Sequence, residues 1–321
     1  MKRVMNVNYL RVSVTDACNL RCIYCNPLGD HGLGDRAAML DFEEIQRVVR
    51  LCVECGIRRV RLTGGEPLVR GGIAGLVRRL AGVAGIEDLS LTTNGVLLGP
   101  MAADLKAAGL RRVNISLDAA DRPCYRQMTG SDRLEQVLDG MYQALAVGLT
   151  PVRLNCVVMR EHNLDQIVPL AELALRLPVS VRFIEYCPTT SRTGPASDYV
   201  PNGEVRSRIE GRLGPLAGAV VPDAGGPAVY FKPQGAAGTI GFISGRSSVF
   251  CHRCSRLRLT SDGRIRPCLH ADRHHDIRGL LRSGAGDEVI RDLIRRIIRE
   301  KAGYTRIASS AEDFLMQSIG G

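Results

Sequence analysis

The chain has 321 residues, 45% of them hydrophobic and 24% charged, which is ordinary globular composition at a length that suits one large α/β fold or two domains. Its longest uncharged run, Leu89 to Ala103, has 15 residues and is broken by Gly95 and Pro100; it is too short for a membrane span. The first residues also lack the apolar core of a signal peptide, so a cytoplasmic location with no membrane partner is expected. The net charge of +10 comes from 43 basic against 33 acidic residues, and only four of the basic ones are Lys. Residues 251–306 hold 14 basic and 7 acidic side chains, which suits a polyanionic ligand, either a nucleotide triphosphate or a nucleic acid.

In chain order, strands are predicted at Tyr9–Val14, Val60–Thr63, Asp88–Thr92, Val113–Leu117, Val152–Val158 and Val181–Glu185. Helical periodicity fills the gaps at Asp41–Cys55, Ile73–Val83, Met101–Ala108, Leu134–Ala146 and Leu164–Leu175. Asp41 with Glu44 has the form of a capping box. Six strands that each lead into a helix indicate a parallel sheet with right-handed crossovers. Either an open doubly wound sheet or a partial barrel fits, and in both the ligand lies beyond the C-terminal strand ends. Texture changes after Pro188, with a helix at Asn202–Leu213 and a domain boundary placed near 220. Short strands follow at Val229–Lys232, Thr239–Ile243, Arg256–Thr260 and Arg264–Pro267. A last helix, Asp287–Lys301, has Val289, Leu293, Ile294 and Ile297 on its apolar face, and the chain ends in a tail closing on Gly320 and Gly321.

Eleven Cys without a signal peptide point to metal or catalysis rather than a disulfide framework. Cys18, Cys22 and Cys25 form CxxxCxxC immediately after the first strand. Three thiolates can hold three irons of a [4Fe–4S] cluster and leave the fourth open to a small molecule. Zinc is the alternative, with a fourth ligand such as His31. Gly64-Gly65-Glu66-Pro67 follows the second strand, where glycine lets the backbone approach a ligand closely.

Cys251 and Cys254 form CxxC, and Cys268 follows after thirteen residues. This is again three thiolates with no fourth Cys nearby; His252, His270, His274 or His275 offers a route to zinc instead. Arg256 and Arg258 alternate with Leu257 and Leu259, which puts both guanidiniums on one face of a strand, a pairing suited to phosphate oxygens.

CxxxCxxC with an aromatic at Tyr24, together with Gly64-Gly65-Glu66-Pro67, resembles the radical SAM superfamily. With the second triplet and the Gly-Gly end added, nearly the whole chain from Tyr9 to Gly321 resembles one family within it, the GTP 3′,8-cyclases that open molybdenum cofactor biosynthesis. The resemblance implies an α/β fold, a partial (βα)6 TIM-like barrel over residues 1–220, and a smaller α+β domain over 221–321 carrying a second cluster. It implies two [4Fe–4S] clusters, on Cys18, Cys22 and Cys25 and on Cys251, Cys254 and Cys268. S-adenosylmethionine would be met by Tyr24, Gly65, Ser116 and the side of Cys187, and GTP by Arg11, Arg61, Thr92, Arg153, Arg256, Leu257 and Arg258. Gly320 and Gly321 would reach into the active site. An electron donor protein, the downstream cyclic pyranopterin monophosphate synthase and a homodimer are the implied partners, with no nucleic acid. Three positions depart from the family pattern: Arg153 stands for its Lys, Cys187 for its Met and Ser255 for its Asn. Two other readings remain: a two-cluster radical SAM enzyme acting on another nucleotide or a peptide, and a zinc-dependent nucleic-acid-binding protein, although 4% aromatic residues give the latter few stacking platforms.

Overall fold

The structure is a computed structural model and describes residues 7–26, 36–188, 195–221, 226–248, 250–270 and 273–301. The first part alternates β1 (Tyr9–Ser13), α1 (Phe42–Glu54), β2 (Arg59–Thr63), α2 (Ile73–Ala81), β3 (Asp88–Thr93), α3 (Leu98–Ala107) and β4 (Arg112–Ser116). It continues through α4 (Arg122–Thr129), α5 (Leu134–Ala146), β5 (Val152–Val158), α6 (Arg160–Asn163), α7 (Ile167–Arg176) and β6 (Val179–Glu185). The last part holds α8 (Asn202–Leu213), β7 (Ala217–Ala219), β8 (Val229–Lys232), β9 (Thr239–Ile243), β10 (Arg256–Leu259), β11 (Arg264–Arg266), β12 (His275–Asp276), α9 (Ile277–Arg282) and α10 (Asp287–Lys301).

Strands β1 to β6 pair in chain order and in parallel, as the alternation predicts. The C-terminal strands add to both edges of this sheet instead of building a sheet of their own. β10 lies parallel beside β1 and β9 parallel beside β6. The full order is β12-β11-β10-β1-β2-β3-β4-β5-β6-β9-β8-β7.

Period-two alternation divides the strands. Leu10, Val12, Val60, Leu62, Leu91, Val113, Ile115 and Leu257 are wholly buried or nearly so in the core with the helices. The alternate positions carry polar side chains that line a cavity on the other face. Arg11, Arg112, Arg153, Arg182 and Arg258 are all at least nine-tenths buried there.

Local signals set the helix starts. Asp41 accepts from the Glu44 amide at 2.7 Å while Glu44 accepts from the Asp41 amide at 2.9 Å, completing the expected capping box of α1. α10 packs on α1: Asp287 accepts from Arg47 at 2.8 Å and Arg50 at 2.6 Å, and Glu54 pairs with Arg291. Its buried face is Ile290, Leu293, Ile294 and Ile297. Val289, assigned to that face from periodicity, is instead 54% exposed, because the contact with α1 is centred one position further along the helix.

Candidate active site

A cavity of about 410 Å³ runs along the polar face of the strands. Parallel pairing fixes its two ends. Cys18, Cys22 and Cys25 follow the C-terminal end of β1. Cys251 and Cys254 precede the N-terminal end of β10, which is level with the start of β1 through the Tyr9–Arg256 pairing. Cys268 follows β11, which returns antiparallel to β10. All six cysteines line the one cavity, a triplet at each end.

At the first end, the loop that carries the triplet is pinned to the Gly64-Gly65 turn. The Gly65 amide donates to Thr15 O at 2.7 Å and the Glu66 amide to Ala17 O at 2.8 Å. A Cβ on Gly65 would stand 2.5 Å from Asp16 O, so only glycine fits this approach. Glu66 accepts from Leu68 N at 3.0 Å, Thr93 Oγ1 at 2.7 Å and Asn94 N at 2.6 Å. Its complete burial nevertheless pushes its pKa up to about 7. The Tyr24 hydroxyl donates to Asp118 Oδ2 at 2.7 Å, and the other oxygen of Asp118 accepts from Val157 N at 2.8 Å. Burial raises Asp118 to about 6. Burial, then Asp118, Cys25 and Cys18, hold the Cys22 thiol well above its usual range. Three soft donors that repel one another as thiolates are matched chemically to a cationic iron–sulfur core.

At the other end the electrostatics are reversed. Burial alone would raise the Cys254 thiol, but Arg256 and Lys301 more than offset it and bring it down to about 7. The Lys301 ammonium, only 3% exposed, lies 3.6 Å from Cys254 Sγ and donates to Pro267 O at 2.6 Å. Ser255 O accepts from the amides of Asn8 and Tyr9, tying this end to β1. Cys251 and Cys268 line the same cavity, so this part of it also offers three thiols, one of them poised as a thiolate, the donor type a metal group takes.

Between the two ends lies a belt of guanidiniums. Arg11, Arg61, Arg153, Arg256 and Arg258 line the cavity as the sequence predicts, together with Thr92 and Ser116. Leu257 does not: β10 turns its side chain into the core, opposite Arg256 and Arg258, as strict alternation requires. Arg59, Arg112 and Arg182 also face the cavity and were not anticipated; for Arg59 the signal was available, two residues before Arg61 on the same strand face. Arg182 donates to Asn155 Oδ1 and Asn114 Oδ1, both at 2.8 Å. Arg112 grips Asp88 with two nitrogens. Burial first, and neighbouring arginines after it, bring Arg153 and Arg258 down to about 10 and Arg11 well below its usual value. Glu185 is the single acid among the described lining residues, and it is already saturated by Asn202 N, Arg246 N, Ser247 N and the Ser247 hydroxyl. Eight arginines against one acid along the described walls make the cavity favourable to an anionic ligand. Cys187 lines the cavity beside Tyr186. Gly320 and Gly321 lie outside the described residues.

Comparison with known proteins finds matches to both parts of the chain. Residues 12–174 match the radical SAM superfamily and residues 179–307 match Molybdenum Cofactor Synthesis C. The GTP 3′,8-cyclase of Pelotomaculum thermopropionicum is 46% identical over 317 residues, covering 98% of each chain. That of Moorella thermoacetica is 44% identical over 316 residues, again 98% of each. Among solved structures, Streptococcus suis SuiB bound to S-adenosylmethionine superposes with a TM-score of 0.61 at 17% identity, over 89% of this chain and 67% of SuiB, which speaks to the fold alone. Full-length identity of this order, with both halves matched, means that the chain belongs to the GTP 3′,8-cyclase family of the radical SAM superfamily.

Proposed function

We propose that this protein converts GTP to 3′,8-cyclo-7,8-dihydro-GTP, the first step of molybdenum cofactor biosynthesis. The observation that carries it is a single cavity with a cysteine triplet at each end and eight arginines along its walls. Cys18, Cys22 and Cys25 hold a [4Fe–4S] cluster, and Tyr24, Gly65, Ser116 and Cys187 surround S-adenosylmethionine. Cys251, Cys254 and Cys268 hold a second cluster. The division near residue 220 separates a part that carries the first cofactor site from a part that carries the second.

With a reduced cluster held by Cys18, Cys22 and Cys25 and S-adenosylmethionine bound beside it, the site would have radical chemistry able to take hydrogen from C3′ of the ribose. The chain's own residues do the positioning. Arg11, Arg61, Arg153, Arg256 and Arg258, with Thr92, hold a triphosphate of about four negative charges. Desolvated and mutually repelling guanidiniums gain most from an anion that neutralises them. The anchored substrate then presents C3′ to the first end and guanine to the second, and walls of buried side chains keep water from the reaction. An electron donor protein supplies the reducing equivalents, and the product passes to the downstream synthase.

The test is anaerobic reconstitution with iron and sulfide, followed by S-adenosylmethionine, reductant and mass spectrometry of the products. GTP-stimulated 5′-deoxyadenosine together with cyclised GTP is expected. 5′-Deoxyadenosine with GTP untouched overturns the substrate assignment, and zinc in place of iron and sulfide overturns the chemistry.

A further inference from the structure

Tyr9 begins β1, and its side chain shares the cavity face with Arg11 two residues on. In register it stands level with Arg256 of β10 on one side and Arg59 of β2 on the other. The Arg61 guanidinium lies 5.3 Å from the centre of its ring, within cation–π range, so the ring is anchored. The residue is 3% exposed, yet its hydroxyl has no hydrogen-bond partner among the described residues. Buried tyrosine hydroxyls ordinarily find a partner, and an orphan is costly. Burial alone would raise the pKa of this phenol, but Arg61, followed by Arg11, Arg112 and Arg256, more than offsets it, and the pKa lies below its ordinary value. The group is thus a sharpened donor, enclosed by cations and facing a cavity, and it lacks an anionic acceptor.

On the reading that GTP occupies this cavity, we propose that the Tyr9 hydroxyl donates a hydrogen bond to a phosphate oxygen of the bound nucleoside triphosphate. The acceptor is a phosphate because the surrounding arginines concentrate negative charge at this point. A neutral donor also adds something that another arginine would not: it binds the phosphate without adding to the repulsion within the belt.

Tyr9→Phe isolates the hydroxyl, since the phenyl ring remains beneath Arg61. Reconstituted wild type and variant are compared by anaerobic equilibrium dialysis with GTP and, separately, with guanosine. The variant should keep the wild-type iron content and bind GTP about tenfold more weakly, the weight of one hydrogen bond to a charged acceptor. Guanosine affinity should not change. In turnover, KM for GTP should rise by a similar factor with kcat nearly constant, as expected for an interaction made equally in ground and transition states. Equal GTP affinity in the two proteins, or an equal loss for guanosine, overturns the assignment. Loss of iron in the variant does so too, because the hydroxyl would then be structural. Failure of the wild type itself to bind GTP instead refutes occupation of the cavity by GTP and is seen before the variant is measured.

Discussion

Gly65→Ala tests how the first cysteine loop is held. The added Cβ would stand 2.5 Å from Asp16 O and 2.7 Å from the Ala17 carbonyl carbon. Both are backbone atoms, so no side chain can swing aside. Restoring ordinary contact at about 3.4 Å requires the 16–17 backbone to retreat by about 0.9 Å. The hydrogen bonds of the Gly65 and Glu66 amides, now 2.7 and 2.8 Å long, would then stretch past about 3.5 Å and be lost. Two hydrogen bonds at about 1 kcal/mol each, with about 1–3 kcal/mol of overpacking strain, give about 3–5 kcal/mol. That is a large part of a typical folding stability, and a shift of this size exceeds the roughly 0.5 Å tolerance of a functional constellation. Cys18 follows Ala17 directly, so the damage falls on the first triplet, while the second, at the other end of the sheet, is spared. Iron analysis should show loss at the first site only, accompanied by loss of the spectral response to S-adenosylmethionine in electron paramagnetic resonance. A variant that keeps its full iron content, its S-adenosylmethionine response and its melting temperature would falsify this account of the turn.

Arg258→Ala removes a buried guanidinium from the belt without touching a cysteine, so GTP affinity should fall by about 10–100-fold at constant iron content; unchanged affinity removes Arg258 from the site. Lys301→Met deletes one of the two cations that hold the Cys254 thiol at about 7. In metal-free protein, the pH midpoint for alkylation of Cys254 should lie near 7 and move upward in the variant, and a fixed midpoint excludes the contact. The same depressed thiol stabilises the fold above its ordinary range, and this contribution is lost as pH falls through about 7. Glu185→Gln turns an amide toward five donors, the Tyr199 hydroxyl among them, now served by a carboxylate whose pKa its hydrogen bonds to Ser247, Arg246 and Asn202 hold below normal although burial raises it. It should cost about 3 kcal/mol in urea unfolding at neutral pH. That gap should close as acid protonates the wild-type carboxylate below its usual range, and a gap independent of pH contradicts it.

Much of this was legible in the sequence, and for identifiable reasons. Buried parallel strands announce themselves through β-branched runs, so β1 to β6 fall close to their predicted ranges. The capping box at Asp41 is a local chemical device and reads directly. The short helix α4 escaped because Arg122–Thr129 is polar and lies beside a stronger pattern. Which strands flank which was hidden: β9 pairs with β6 and β10 with β1 across long stretches of chain, and no local period encodes that. Both cysteine triplets were visible from spacing alone. Arg112 and Arg182 were not, since a charged residue inside a strand looks the same whether it faces solvent or a cavity. Lys301 ends a helix, where a lysine ordinarily caps into water; only packing shows its ammonium turned inward between Cys254 and Pro267.

The parallel pairing of β1 with β10 turns the sheet into a length gauge. The five residues of β1, at about 3.3 Å each, span about 16 Å, and the two triplets sit beyond its opposite ends. Their separation is thus set by the backbone repeat, which no side-chain change can alter. A free base or a nucleoside is too short to touch both ends alone, so on the proposed reading S-adenosylmethionine and the nucleotide share the gap end to end. Adding one residue to β1 would do more than lengthen the gauge: it would exchange the two faces of the strand, sending Arg11 into the hydrocarbon core and Leu10 into the cavity.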